Sequence, residues 1–172
     1  MMRRALTAMT MALALFAWAA YVPAEEQPLE SGNVLFVCEH GSVKSLLAKL
    51  LFERAAAREG LTLRAVSRGT APDAAVPEWM RAALERDGFD IGAWRPVALS
   101  PWDLRSAQRV VTFDVTLASD SLVGPATEHW DGLPSVSRGY DMGREAIAAR
   151  VEELVQELKQ SSLSLAKQRV NR

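Results

Sequence analysis

The sequence has a single cysteine, Cys38, and only two histidines, His40 and His129, among its 172 residues. One cysteine cannot form an intrachain disulfide, and these three side chains match no zinc-binding spacing. We therefore expect no disulfide framework, no metal and no other cofactor. The lone thiol is then either a small core residue or a functional group.

The chain also lacks an excess of either charge. It carries 20 lysine and arginine residues against 21 acids, so no basic field indicates a nucleic-acid partner. Hydrophobic residues make up 49% and charged residues 24%, which is typical of a chain that folds around a packed core. These values favour a small molecule or another protein as the partner.

Residues 1–24 have the pattern of a secretory signal peptide. Arg3 and Arg4 precede an apolar run from Ala5 to Val22, and Val22-Pro23-Ala24 resembles a cleavage site. We predict an exported protein, periplasmic or otherwise extracytoplasmic. The alternative is an uncleaved anchor, in which case the protein is held at a membrane. Residues 25–32 are polar and are interpreted as a linker.

Residues 33–160 are predicted to form one domain in which strands and helices alternate. The predicted strands are 33–38, 62–67 and 109–113, and the main predicted helices are 45–59, 77–87 and 142–159. A shorter helix is expected at 102–106, a long loop at 119–141 and a polar, frayed tail at 161–172. The pattern indicates an α/β fold, a three-layer, doubly wound, roughly four-stranded parallel sheet with helices on both faces.

The loop between the first strand and the first helix has the features of an anion site. Cys38 ends the strand, and the loop continues through residues that precede or begin the helix: Glu39, His40, Gly41, Ser42, Val43, Lys44 and Ser45. Amides of such a loop and a helix N-terminus bind oxyanions and favour a thiolate. We expect Cys38 to be a nucleophile and Lys44 an anion ligand. Ser45 either donates to the thiolate or caps the helix.

The stretch Val34–Ser45 also resembles the signature loop of the low-molecular-weight protein tyrosine phosphatases and the related thiol-dependent arsenate reductases. That loop reads Cys, five residues, Arg, Ser. Segments later in the chain resemble the family in the same order: 67–70, 87–91, 95–96, 107–114 and 129–130. The resemblance spans roughly residues 33–158. It implies the fold of phosphotyrosine protein phosphatase I and a nucleophilic role for Cys38.

Two departures from the family pattern bear on activity. Lys44 stands where the family has arginine, and lysine offers a point charge instead of a bidentate fork. The Asp-Pro pair that would hold the general acid aligns near Ser135-Val136, which has no carboxylate. The nearest candidates are Asp131 and Asp141, although Asp131 before Gly132 also fits a turn. Asp114, at a strand end, is interpreted as a cap.

The sequence therefore predicts a cysteine-dependent phosphomonoester phosphatase, acting on a phosphorylated small molecule or a phosphoprotein such as a phosphotyrosine protein. One alternative is arsenate reduction on an inorganic oxyanion, which needs an external thiol because Cys38 has no partner. The other is a phosphate- or anion-binding module that retains the loop and has lost turnover.

Overall fold

A computed structural model describes residues 33–117 and 126–171 of the chain. The predicted signal peptide, 1–24, and the linker, 25–32, lie outside the described residues. None of the helices in the described ranges has the length and apolar composition needed to cross a membrane.

Four parallel strands form one sheet. They are β1 (Asn33–Cys38), β2 (Ala65–Gly69), β3 (Ala107–Thr112) and β4 (Ala126–His129), and their order across the sheet is β2-β1-β3-β4. β1 is central, with β2 and β3 as its parallel neighbours, and every residue of β1 is buried. A continuous apolar run is what a strand covered on both faces requires.

Alternate residues of β1 enter two separate cores. Val34, Phe36 and Cys38 pack with helix α1 (Lys44–Arg58), helix α2 (Glu78–Arg86) and helix α4 (Tyr140–Val170). Leu35 and Val37 pack on the other face with Leu104 of helix α3 (Pro101–Ser106). The α/β class, the four-stranded parallel sheet and the helices on both faces are therefore confirmed.

Three elements differ from the sequence prediction. β2 spans Ala65–Gly69, whereas the strand was predicted at 62–67. β4 lies inside the region predicted as a loop, because its four residues, ATEH, form an exposed edge strand without an apolar run. Helix α4 continues through residues 161–170, where the sequence predicted a frayed tail. Ser161, Ser162 and Ser164 each donate to the carbonyl four residues earlier, so these polar side chains bond to the helix that they extend.

The carboxyl ends of the strands meet at one edge of the sheet. Cys38 lies opposite Gly69, Val37 opposite Thr112, and Thr112 opposite His129. The residues that follow β1, β3 and β4 therefore emerge on the same side. In open parallel sheets this is the edge at which ligands bind.

Candidate active site

Cys38 ends β1 at this edge and is 7% exposed. The Gly41 N–H donates to its sulfur at 3.2 Å, and the Ser45 hydroxyl lies 3.0 Å from the sulfur. The sulfur of Cys38 thus has two polar groups within hydrogen-bond distance, a backbone N–H and a side-chain hydroxyl.

The backbone of the loop turns its carbonyls away from the site. The carbonyls of Cys38, Glu39 and His40 accept hydrogen bonds from the N–H groups of Thr70, Ala71 and Asp73, which follow β2. Because carbonyl and amide of a peptide unit point in opposite directions, the loop amides face inward, as that of Gly41 does. This arrangement has the form of an anion-binding nest.

Two glycines allow the loop to lie against β2. Gly41 has φ +68°, and a Cβ on it would lie 2.9 Å from the Gly69 nitrogen. A Cβ on Gly69 would in turn lie 2.9 Å from the Gly41 nitrogen. Neither position accepts a larger side chain without a backbone shift, so the close contact fixes the loop beneath the cleft.

A second hydroxyl supports Ser45. The Ser67 hydroxyl of β2 lies 2.9 Å from the Ser45 oxygen and 3.0 Å from the Gly41 carbonyl. Ser67 has one proton for these two acceptors. When it donates to Ser45, the Ser45 proton is left for the sulfur, and when it donates to the Gly41 carbonyl, the Ser67 oxygen can accept from Ser45. Both serines are buried, so no water competes for these groups. Ser45 thus acts as a partner of the thiol, and α1 has Val43 as its N-cap residue, with no side-chain cap.

Lys44, in the position of the family arginine, faces the opposite wall. Its ammonium donates to Asp114 Oδ2 at 2.5 Å and to the Leu133 carbonyl at 3.4 Å. The Lys44 side chain is 19% exposed. The structure therefore brings Lys44 to the same cleft as Cys38, with its charge directed to a carboxylate.

Asp114 follows β3 and was expected to be only a cap. It has φ +51°, accepts the Gly132 N–H at 2.9 Å, and lines the cleft beside Lys44. The hydrogen bond from Lys44 holds the pKa of Asp114 below its usual value, the Gly132 N–H acts in the same direction, and burial opposes both. Sequence reasoning missed its contact with Lys44, although its position at a strand end was the available signal.

The carboxylates proposed as general acids lie elsewhere. Asp131 Oδ1 accepts the Asp114 N–H at 2.8 Å, and Asp131 is not among the residues that line the cleft. Asp141 is 87% exposed and pairs with Arg86 at 3.5 Å. Ser135 and Ser137 line the cleft where the family carboxylate was expected. The catalytic role of Asp131 stays a prediction, and its geometry is that of a turn residue bound to backbone.

The cleft has a volume of about 470 Å³. Cys38 lies in it with four members of the predicted loop, Glu39, His40, Val43 and Lys44. Gly41, Ser42 and Ser45 are buried, and the Ser42 hydroxyl donates to Asp73, a wall residue that the sequence did not single out. The half-exposed Trp79 forms an aromatic part of the wall.

The two histidines do not form a metal site with Cys38. His40 Nδ1 lies 3.6 Å from Asp73 Oδ1, and Nδ1 of His129 on the edge strand β4 lies 2.8 Å from the Thr112 hydroxyl of β3. Across residues 33–117 and 126–171, no three histidine, cysteine, aspartate or glutamate side chains are placed to hold a metal ion.

Comparison with known proteins gives a family and a set of similar structures. The sequence matches the model of the low molecular weight phosphotyrosine protein phosphatases over residues 33–169. A search of curated proteins gave no match.

Three solved structures illustrate the range of similar proteins. A thioredoxin-dependent arsenate reductase of Corynebacterium glutamicum has a TM-score of 0.61 and 22% identity, covering 77% of this chain and 64% of that one. The chain thus spans less than two thirds of that protein. An arginine phosphatase of Geobacillus stearothermophilus has a TM-score of 0.60 and 18% identity, and the match covers 77% of this chain and 96% of that one. A low molecular weight phosphotyrosine phosphatase of Vibrio cholerae has a TM-score of 0.57 and 16% identity, and the match covers 76% of this chain and 96% of that one. At these identities the likeness shows a shared fold.

Proposed function

The chain belongs to the low molecular weight phosphotyrosine protein phosphatase family, and from this premise we propose that it hydrolyses phosphomonoesters with Cys38 as the nucleophile. The observation that carries the proposal is the sulfur of Cys38, which receives the Gly41 N–H and lies beside the Ser45 hydroxyl at the floor of a cleft. A thiolate so placed faces whatever oxyanion the loop amides hold.

The proposed reaction has two displacements at phosphorus. The Cys38 thiolate attacks, an S–P bond forms, and the P–O bond to the leaving group breaks, the leaving oxygen taking its proton from solvent. Water then attacks the thiophosphoryl group, the S–P bond breaks, and inorganic phosphate leaves with the thiolate restored. Lys44 and the loop amides offset the charge on the phosphoryl oxygens.

The substrate is expected to carry a good leaving group. General acid catalysis is typically worth about 10²–10⁴ in rate, and Ser135 and Ser137 supply no carboxylate where the family has one. An aryl oxide needs a proton less than an alkoxide does. Phosphotyrosine or another aryl phosphate, free or on a protein, therefore suits this site better than an alkyl phosphate.

Arsenate reduction remains a candidate because arsenate reductases share the fold. With one cysteine in the chain, that reaction needs an external thiol to release the cysteine-bound oxyanion. Arsenate turnover that depends on added glutathione or thioredoxin, without phosphatase activity, would favour this function over the proposed one.

Turnover of p-nitrophenyl phosphate by the purified domain tests the proposal. We expect hydrolysis by the wild type, none above buffer background for Cys38→Ser, and an increase of about 10-fold for Lys44→Arg, the effect of roughly one additional charge-assisted hydrogen bond. Equal rates for wild type and Cys38→Ser would rule the phosphatase out. If phosphate still protected an inactive protein against thermal unfolding, the anion-binding module would be favoured.

A further inference from the structure

The Lys44 ammonium is held by groups from the far wall of the cleft. It contacts Asp114 Oδ2 at 2.5 Å and the Leu133 carbonyl at 3.4 Å, which belong to the segments after β3 and β4. Lys44, the cationic residue at the end of the loop, is therefore already paired with a carboxylate.

Asp114 is the fixed member of this pair. Its backbone has φ +51°, its own N–H donates to Asp131 Oδ1, and its Oδ1 accepts the Gly132 N–H. Lys44, in contrast, reaches it through a flexible four-carbon stem. Separation of the pair therefore requires movement of the lysine and leaves the carboxylate in place.

The rest of the cleft does not compensate for this pairing. Two further carboxylates, Glu39 and Asp73, line it, and His40 is the other titratable group on its wall. Glu39 and Asp73 lie 3.7 Å and 3.6 Å from the ring nitrogens of His40, so an entering oxyanion meets one lysine, and that lysine is already paired with Asp114. An anion that binds to Lys44 as well as to the loop amides must therefore draw the ammonium away from Asp114.

We propose that Asp114 is an intramolecular competitor of the substrate for Lys44, and so sets the affinity of the site for oxyanions. This inference rests on the oxyanion-binding role of the loop proposed above. The pair weakens the binding of substrate and product alike, and its re-formation favours the departure of inorganic phosphate. Asp114 is a positioning residue in this account, because it acts on the anion through the place of the Lys44 charge.

Anion affinity measured by calorimetry with tungstate at pH 7 tests the competition without any need for turnover. We expect Asp114→Asn to bind tungstate about 5-fold more tightly than the wild type, since the ion pair between Lys44 and the half-exposed Asp114 no longer has to open. Glu39→Gln is the matched control, because it removes one negative charge from the same cleft, and the partner of Glu39 is His40 at 3.7 Å instead of Lys44. We expect it to change affinity by less than about 3-fold.

A double-mutant cycle separates competition from simple repulsion. In a Lys44→Met background, Asp114→Asn should change tungstate affinity no more than Glu39→Gln does, because no ammonium remains to be released. An equal gain with and without Lys44 would overturn the proposal in favour of general repulsion by the carboxylate. Absence of any gain in Asp114→Asn would overturn it outright.

Asp114→Gly provides a second route if the asparagine variant does not fold, since glycine also accepts the positive φ of this position. The two proposals fail separately. If the double-mutant cycle shows no coupling, the role of Asp114 is wrong, but hydrolysis that depends on Cys38 can still occur. If the cycle shows coupling and the domain has no phosphatase activity, the role of Asp114 is supported and the proposed reaction is wrong.

Discussion

The sulfur of Cys38 depends on groups from three parts of the chain. Gly41 comes from the loop, Ser45 from the first turn of α1, and Ser67 from β2, which lies beside β1. Spacing along the sequence predicts the first two, because they follow the cysteine closely. Ser67 is brought to Ser45 only by the pairing of β1 with β2, so its role could be seen only in the folded chain.

Removal of the Ser45 hydroxyl should make the thiol less reactive. Ser45→Ala takes a donor from the thiolate, and a hydrogen bond to a charged group is worth enough to slow alkylation by iodoacetamide at pH 7 by about 10-fold. Ser42→Ala is the control, since the Ser42 hydroxyl donates to Asp73 and not to the sulfur. If both variants reacted at the wild-type rate, Ser45 would be a structural residue only.

The segment that carries Ser135 and Ser137 is positioned by helix α4. Val136 is buried between these two cleft residues and packs against Gly143 in the second turn of α4. A Cβ on Gly143 would lie 2.8 Å from Val136 Cγ2 and 2.9 Å from its Cα. The first turns of α4 are tied to the end of α2, where Tyr140 and Arg144 both donate to Asp87 Oδ2. This part of the cleft wall is thus a rigid attachment of the helix.

Gly143→Ala should destabilise the domain. Helix propensity alone would favour alanine by about 1 kcal/mol. The new Cβ would collide with backbone atoms of Val136, which cannot rotate aside as a side chain can. The cost of this overpacking exceeds the gain in helix propensity, so we expect a net loss of about 1–2 kcal/mol in the free energy of unfolding. Urea denaturation measures this. Gly139→Ala is the control, because a Cβ there meets only the end of Met142 at 3.8 Å and costs about 0.5 kcal/mol through the helix cap. A gain of stability in Gly143→Ala would contradict the packing described.

Most of the domain's architecture was predictable because its signals are local. The apolar run of β1 and the helical spacing of α1, α2 and α4 predicted the class of fold, and the strand-loop-helix order around Cys38 is the basis for the proposed anion loop. The edge strand β4 has no such signal. The pair of Lys44 with Asp114 joins residues 70 apart in sequence; the position of Asp114 at a strand end places it at the same edge of the sheet but does not identify Lys44 as its partner. The family resemblance showed that Lys44 stands at the position of the family arginine, but it did not indicate that Lys44 pairs with Asp114.

We propose that the sheet, the loop and the helix N-terminus together serve a covalent step at Cys38. The phosphorylated intermediate is detectable by intact-protein mass spectrometry of the domain, quenched rapidly in acid during turnover of p-nitrophenyl phosphate and followed by peptide mapping. We expect one phosphoryl group on the wild-type protein, carried by the peptide that contains Cys38. If that adduct is absent, or if a phosphoryl group is found only on another residue, Cys38 is not the nucleophile.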